Sequence, residues 1–162
     1  MPFPSFLKRL RFRPESQRTV TALSVGLLFW ITLSFCFWIY WPGLYGTILL
    51  DDMPNLKGLA DITFFNTSNE ILAFLQSGHA GPLGRPVSLL TFALQHEDWP
   101  LNPYNFKYIN LLIHLLLGCG IFLFFSRLLR LADYAPQRQV LFASLAITAI
   151  WLLHPIQVST VL

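Results

Sequence analysis

A long run of apolar residues, from about Thr19 to Trp41, constrains most strongly what this chain can fold into. A membrane-spanning helix needs about 20 predominantly apolar residues, and this run is long enough. Of the 162 residues, 54% are hydrophobic and only 12% are charged, whereas an ordinary soluble domain has about 25% charged residues. The sequence therefore predicts an integral membrane protein.

The basic residues predict the orientation of the first helix. Residues 1–18 carry five Lys or Arg residues and a single acid, which predicts a cytoplasmic N-terminus by the positive-inside rule. A cleaved signal peptide is the alternative. However, the apolar run exceeds the roughly 7–15 residues of a signal core, and Tyr40-Trp41-Pro42 lacks the small residues of a cleavage site. We therefore expect an uncleaved transmembrane helix at residues 19–41.

Two further apolar segments predict transmembrane helices at residues 108–125 and 140–155. The third segment is short, so we expect it to begin earlier, at 137–139, to tilt little in the membrane, or to continue past His154-Pro155. The arginine-rich residues 126–139 between these two segments are predicted to be cytoplasmic, and residues 156–162 are expected to be the truncated start of a further segment.

Residues 42–107 are then a long extracytoplasmic loop, in which six acids outnumber three basic residues. Short helices are predicted at residues 69–76 and 86–94, and we expect them to lie along the membrane interface or to pack on the membrane-spanning helices. The predicted fold is all-α, with three transmembrane helices and interfacial helices in the outer loop.

Composition also argues against two other kinds of site. The net charge of +3 does not indicate nucleic-acid binding, because the basic residues follow the membrane topology and form no patch interleaved with aromatic residues. Cys36 and Cys119 lie within apolar segments, where we expect free, packed thiols rather than a disulfide.

Polar residues that fall on or near the outer surface in this topology are the candidates for a functional site. They are Asp51, Asp52, Arg85, Asn110, His114 and His154. Asn110 and His114 are four residues apart and therefore share one helix face. Polar groups at that depth are unfavourable in lipid and usually face a protein interior or a wet cavity. The six residues are therefore candidates to line one outward-opening cleft.

The chemistry that suits this set is transfer from a lipid-borne phosphate donor. The departing group is anionic, and Arg85 is a candidate to hold its phosphate. One aspartate of the Asp51-Asp52 pair is a candidate to accept the proton of an acceptor hydroxyl, and the other, taken as Asp52, to bind a divalent metal ion. The histidines are candidates to contact phosphate or metal.

Each candidate also has an ordinary structural explanation. An Asp-Asp pair in a loop is commonly a solvated turn, and Arg85 can pair with a loop acid or a lipid headgroup. Asn110 and His114 commonly form a hydrogen bond between helices. The His154-Pro155 pair commonly ends a helix, because proline disfavours helical conformation at the preceding residue. Spacing alone leaves both explanations open.

Four motifs, taken in order, resemble a known family. They are Leu50-Asp51-Asp52-Met53-Pro54-Asn55-Leu56, Gly81-Pro82-Leu83-Gly84-Arg85-Pro86, Asn110-Leu111-Leu112-Ile113-His114 and Leu153-His154-Pro155-Ile156-Gln157-Val158. Together they resemble the N-terminal part of protein O-mannosyltransferase-like membrane proteins that carry tetratricopeptide repeats, within the GT-C glycosyltransferase superfamily. Members of that family have more transmembrane helices and usually a C-terminal repeat domain.

The resemblance implies a partial GT-C-like fold and a polyprenyl-phosphate sugar as donor. It implies that Asp51 or Asp52 is the base or metal contact, and that Arg85 lies at the donor phosphate. Asn110, His114 and His154 recur with the motifs as supporting residues.

We therefore expect the N-terminal portion of a membrane glycosyltransferase that moves a sugar, expected to be mannose, to a protein hydroxyl in the bacterial inner membrane. Most of the donor cavity would lie elsewhere, so we expect the chain to be inactive alone and to need partner membrane helices. The alternatives are a non-catalytic membrane interaction or assembly protein and an inactive gene fragment.

Overall fold

The structure is a computed structural model that describes residues 15–47, 56, 58–59, 68–77, 85–95, 102–133 and 135–162. Every regular element within these ranges is helical, as the sequence predicts. The helices are α1 (Glu15–Tyr40), α2 (Ser68–Gln76), α3 (Pro86–Ala93), α4 (Pro103–Leu131), α5 (Gln137–Leu152) and α6 (Val158–Val161). Two 3₁₀ helices, Trp41–Tyr45 and Pro155–Gln157, follow α1 and α5 respectively.

Among the described residues, two helical segments are long and apolar enough to cross a membrane. They are Thr19–Tyr45, with 27 residues, and Pro103–Leu131, with 29 residues. Helix α5 and the helices at Pro155–Val161 meet the same criterion only when they are taken together as a bent pair, which would bring the number to three. These helices are what an integral membrane protein requires.

Helix α4 extends beyond the predicted residues 108–125 at both ends. It begins at Pro103, where the fixed φ of proline suits the first helical turn. It continues to Leu131, after which Asp133 takes a left-handed conformation with φ 46°. Aspartate tolerates this conformation better than most residues. The predicted helix was too short because it was based on an apolar run, and polar residues lie near both ends of α4.

Helix α5 begins at Gln137 and ends at Leu152, just before the His154-Pro155 pair. The start at Gln137 fits the expected earlier beginning, whereas α5 ends three residues before the predicted end at residue 155. His154 caps the 3₁₀ helix that follows, because its Nδ1 atom accepts a hydrogen bond from the Ile156 N–H at 3.2 Å. The helical conformation resumes immediately after the proline.

The chain divides into two compact units, and the division falls within α1 and α4. The first unit comprises Met1–Cys36 and Leu116–Leu153, and the second comprises Phe37–Leu115 and His154–Leu162. In the first unit, Val25, Leu141 and Leu145 form a buried cluster with partly buried phenylalanines packed against it.

Close helix packing in the first unit depends on Gly118. A Cβ atom at this position would lie 2.7 Å from a methyl carbon of Leu152, so a larger residue here would require the Leu152 side chain to move. Cys36 and Cys119 are both free thiols, as predicted, and Cys36 is buried.

The second unit contains its own hydrophobic cluster, which joins the two loop helices to the start of α4. Its buried members are Leu56, Leu59, Phe74, Leu89, Ala93 and Phe106. Helices α2 and α3 pack against each other, and they lie where the sequence predicts short helices in the outer loop. Burial of apolar surface therefore stabilises these two short helices, which would be marginal in isolation.

Candidate functional site

The predicted site residues differ in what the structure describes of them. Asp51 and Asp52 lie outside the described residues. Arg85 is exposed and immediately precedes α3, where its carbonyl accepts a hydrogen bond from the Leu89 N–H at 2.9 Å. The Arg85 side chain does not cap the helix. Its position thus follows from the start of α3, and its guanidinium group is accessible to an anion.

His114 is the most deeply placed of the predicted residues. Its side chain is only 4% exposed, and its ring centroid lies 5.5 Å from that of Tyr40. Asn110, one turn earlier on α4, is half-buried. His154 is exposed, and its ring caps a 3₁₀ helix, which is its ordinary structural explanation. Within the described residues, no hydrogen bond or ion pair joins Arg85, Asn110 and His154 to one another.

The residue that the sequence analysis missed is Lys107, in the second turn of α4. Its side chain is only 6% exposed. The ammonium nitrogen donates hydrogen bonds to the carbonyl oxygens of Thr47, at 3.0 Å, and Gly43, at 3.4 Å. Burial of an ammonium group is strongly unfavourable unless such acceptors surround it. Lys107 therefore binds the turn that follows α1.

The turn fits closely around this ammonium group because it contains glycines. A Cβ atom at Gly46 would lie 3.0 Å from Lys107 Nζ and 3.1 Å from the Gly43 carbonyl oxygen. The Gly46 N–H also donates to that carbonyl at 3.0 Å. We refer to the backbone of Gly43–Thr47 around Lys107 Nζ as the ammonium cradle.

Four aromatic residues lie close in sequence to the two parts of the cradle, Gly43–Thr47 and Lys107. Trp41 and Tyr45 are exposed and belong to the 3₁₀ helix after α1, while Tyr104 and Tyr108 lie one turn apart on α4. The ring of Tyr104 is 5.2 Å from that of Tyr45, 6.2 Å from that of Trp41 and stacked on that of Tyr108 at 6.0 Å. Aromatic residues of this kind are common at membrane–water interfaces.

The cradle and the second unit's hydrophobic cluster attach both flanks of the segment that contains the acidic pair. On the N-terminal side, Thr47 accepts a hydrogen bond from Lys107. On the C-terminal side, Leu56 belongs to the same hydrophobic cluster as Phe106. Two consecutive residues of α4, Phe106 and Lys107, therefore take part in the two attachments.

The metal prediction rests on Asp52, which lies outside the described residues. In the part of the chain that the structure describes, no group of three or more His, Cys, Asp or Glu residues could hold a metal ion. The metal site stays a prediction from the sequence.

One sequence signal does identify Lys107. Pro103 marks a helix start, and from there Lys107, Leu111 and His114 follow at intervals of four and three residues, which places them on one helix face. All three side chains are buried. A lysine on the face that also carries a buried histidine is therefore predicted to point inward.

No protein-family model, curated protein or solved structure matches this chain. The resemblance to the O-mannosyltransferase-like family thus rests on the four sequence motifs alone.

Proposed function

We propose that this chain is the N-terminal portion of a membrane glycosyltransferase that transfers a sugar, with mannose as the first candidate, from a polyprenyl phosphate to a protein hydroxyl. The observation that carries the proposal is that Thr47, before the Asp51-Asp52 pair in sequence, bonds to Lys107 of α4, and that Leu56, after the pair, belongs to the same buried cluster as Phe106. The same helix carries the half-buried Asn110 and the buried His114.

The chemistry assigns one role to each kind of side chain. An aspartate of the Asp51-Asp52 pair accepts the proton of the acceptor hydroxyl as that oxygen bonds to the sugar's anomeric carbon. The bond from that carbon to the phosphate oxygen breaks, and the negative charge stays on the lipid phosphate. Arg85, whose side chain is exposed, supplies planar paired N–H donors that match a phosphate group. A divalent metal at Asp52 stays a prediction, and no step requires it.

The proposed setting is a partial GT-C-like fold with three transmembrane helices, a cytoplasmic N-terminus and a location in the bacterial inner membrane. The basic excess in residues 1–18 and 126–139 supports this orientation. Residues 42–107 then face outward, together with both attachments of the acidic segment. Asn110, His114 and His154 are supporting residues in this proposal.

The test is transfer of radiolabelled sugar from a polyprenyl-phosphate donor in membranes that contain the chain or the longest product of its gene. We expect Asp51→Asn or Asp52→Asn to lower kcat by about 10²- to 10⁴-fold, because removal of a general base has an effect of that size. Asp133→Asn is the matched control, since Asp133 lies in the turn between α4 and α5 and asparagine tolerates its left-handed conformation. Normal transfer by both outer variants would contradict the proposal.

A non-catalytic membrane assembly protein is the second candidate, and the apolar surface of α1 favours it. Leu23, Leu27, Trp30 and Trp38 are all more than 60% exposed. Lipid or partner helices would cover this surface in a membrane. Normal transfer by the aspartate variants, together with crosslinking of a photoreactive group at position 30 to one defined membrane protein, would favour this candidate. Absence of both transfer and crosslinking would favour the inactive gene fragment.

A further inference from the structure

Three exposed arginines lie on either side of the turn between α4 and α5. Arg127 and Arg130 belong to the end of α4, and Arg138 belongs to the first turn of α5. Asp133 is the single acid among residues 126–139. Within the part of the chain that the structure describes, no hydrogen bond or ion pair involves the guanidinium groups of the three arginines. The turn therefore carries positive charge that the described residues do not neutralise.

The two arginines of α4 continue an exposed apolar face of that helix. Leu123 and Phe124 are both exposed. Arg127 follows them at spacings of four and three residues, and Arg130 lies three residues further on. These spacings place the four side chains on one side of the helix. In a membrane, acyl chains cover such an apolar face, so the arginines at its end also point towards lipid.

The length of α4 brings these arginines to the level of the lipid headgroups. Its 29 residues extend about 43 Å, whereas the hydrocarbon core of a bilayer is about 30 Å thick. The ends of α4 therefore extend beyond the acyl chains, and Arg130 is the last residue but one of this helix. A guanidinium group at this level contacts phosphate groups and water rather than hydrocarbon.

An aromatic ring of its own helix holds the side chain of Arg138. The guanidinium carbon lies over the ring of Phe142, 5.8 Å from its centroid. Phe142 in turn packs against the buried cluster of Val25, Leu141 and Leu145. A cation over an aromatic face is attracted to the ring, and a guanidinium group in that position keeps N–H donors for an anion. Arg138 is thus orientated before any ligand binds.

We propose that Arg127, Arg130 and Arg138 bind the headgroup of an anionic phospholipid. The paired N–H donors of a guanidinium group match the oxygens of a phosphate. An anionic headgroup neutralises the excess positive charge of the turn, whereas a zwitterionic headgroup carries its own cation beside the phosphate. This site contains no residue of the candidate transferase site and does not depend on the proposed function.

The experiment compares binding of phosphatidylglycerol and phosphatidylcholine with identical acyl chains. Native mass spectrometry of the full chain in detergent, titrated with each lipid, gives an apparent Kd. The variants are Arg127→Gln, Arg130→Gln, Arg138→Gln and the double variant Arg127→Gln/Arg130→Gln. Gln76→Glu is the matched control, because it lowers the net charge by the same amount at an exposed position of α2. Inorganic phosphate is added as a competitor at the same concentration as the lipid.

We expect the unaltered protein to bind phosphatidylglycerol about 100-fold more tightly than phosphatidylcholine, because each arginine near an anionic headgroup contributes about a factor of five. Each single glutamine substitution should therefore weaken phosphatidylglycerol binding about fivefold, and the double variant should weaken it about 25-fold. Gln76→Glu should leave both affinities unchanged. Phosphatidylcholine binding should stay constant in all variants.

Equal affinity of the unaltered protein for the two lipids would overturn the inference, as would unchanged phosphatidylglycerol binding in the arginine variants. An equal loss in Gln76→Glu would show that net charge, rather than this turn, determines lipid binding. Displacement of the lipid by inorganic phosphate would identify a free anion as the ligand instead. Because the three arginines are exposed, thermal unfolding in lipid-free detergent should be the same for all variants, which separates weaker binding from loss of structure.

Discussion

The two compact units satisfy their polar side chains in different ways. In the first unit, Ser144 and Thr148 donate hydrogen bonds to carbonyls four residues earlier in their own helix, both at 2.8 Å. In the second unit, Lys107 binds carbonyls 60 and 64 residues away. A hydrogen bond within one helical turn does not specify which distant segments of the chain are in contact. A hydrogen bond between residues about 60 positions apart does specify this. One buried lysine therefore helps to fix the tertiary structure of the second unit, whereas hydroxyl groups of that unit, such as that of Thr91, also bond locally.

The first unit has one polar contact that spans a long stretch of sequence. Cys36 Sγ lies 3.7 Å from the Leu152 carbonyl oxygen, 116 residues further along the chain. A thiol is a weak donor, so shape rather than hydrogen bonding maintains this contact. The tilted pair of Phe29 and Phe122, with centroids 4.9 Å apart, is of the same apolar kind. Apolar packing thus contributes to both of these contacts between the helices of the first unit.

The largest expected effect tests whether the second unit has a true core. Phe74 is 4% exposed within its hydrophobic cluster, so Phe74→Ala should lower the free energy of unfolding of α2 and α3 by about 3–5 kcal/mol. Leu72→Ala on the same helix is the control, since Leu72 is exposed and its loss should cost about 0.5 kcal/mol. Hydrogen exchange of both helices measures the difference. Equal effects would mean that this cluster does not act as a core.

The next prediction compares one buried polar residue from each unit. Lys107→Met should cost about 1.5–3 kcal/mol, because the Thr47 carbonyl loses a charged donor. Thr148→Val should cost no more than about 1 kcal/mol, because its hydroxyl bonds only within its own helix and the shape is kept. Thermal unfolding in the same detergent measures both. A larger loss from Thr148→Val would break the contrast between the units.

A third prediction tests the role of shape in the first unit. Gly118→Ala should cost about 1–2 kcal/mol, because the new methyl group overlaps the Leu152 side chain and only rotation of that leucine can relieve it. Gly120→Ala, two residues later, should be neutral or stabilise the helix by up to about 1 kcal/mol. Both are measured by thermal unfolding. If the two variants change stability by the same amount, close packing at Gly118 does not determine the stability of the first unit.

The smallest effect is expected for an exposed hydroxyl of the first unit. Ser24 Oγ donates to the Val20 carbonyl at 2.9 Å in its own helix. Ser24→Ala should change stability by no more than about 0.5 kcal/mol, since the backbone bond of the helix remains. A loss of stability above 1 kcal/mol would show that local hydrogen bonds from hydroxyl groups contribute more to the stability of the first unit than we expect.

The sequence predicts much of the helical structure, because apolar runs and proline positions are local signals. Two of the three predicted membrane spans are long and apolar enough alone, the third only together with the bent segment after it, and helices lie near both predicted loop positions. The extent of α4 was not predicted, since its ends carry Lys107 and Arg130 and a search for apolar runs stops before them.

The candidate site could be predicted only in part. Sequence spacing places His114 on a helix face, and the structure confirms that this side chain is buried. The hydrogen bonds of Lys107 in the cradle could not be predicted. Their acceptors are backbone carbonyls of a distant turn, and every residue has a backbone carbonyl, so the pattern of residue types does not identify them. The metal and transfer roles of Asp51 and Asp52 stay predictions.

The buried positions of α4 also determine how this helix is turned about its own axis. Its apolar residues lie on several sides, with Leu112, Ile113 and Leu116 exposed, so hydrophobicity does not favour one rotation over another. Lys107 and His114 lie seven residues apart, close to one line along the helix. Rotation by half a turn would break both hydrogen bonds of the Lys107 ammonium group and separate the His114 ring from that of Tyr40. The buried positions of Lys107 and His114 thus determine the rotation of α4 about its own axis, which its apolar residues do not determine because they lie on several sides of the helix.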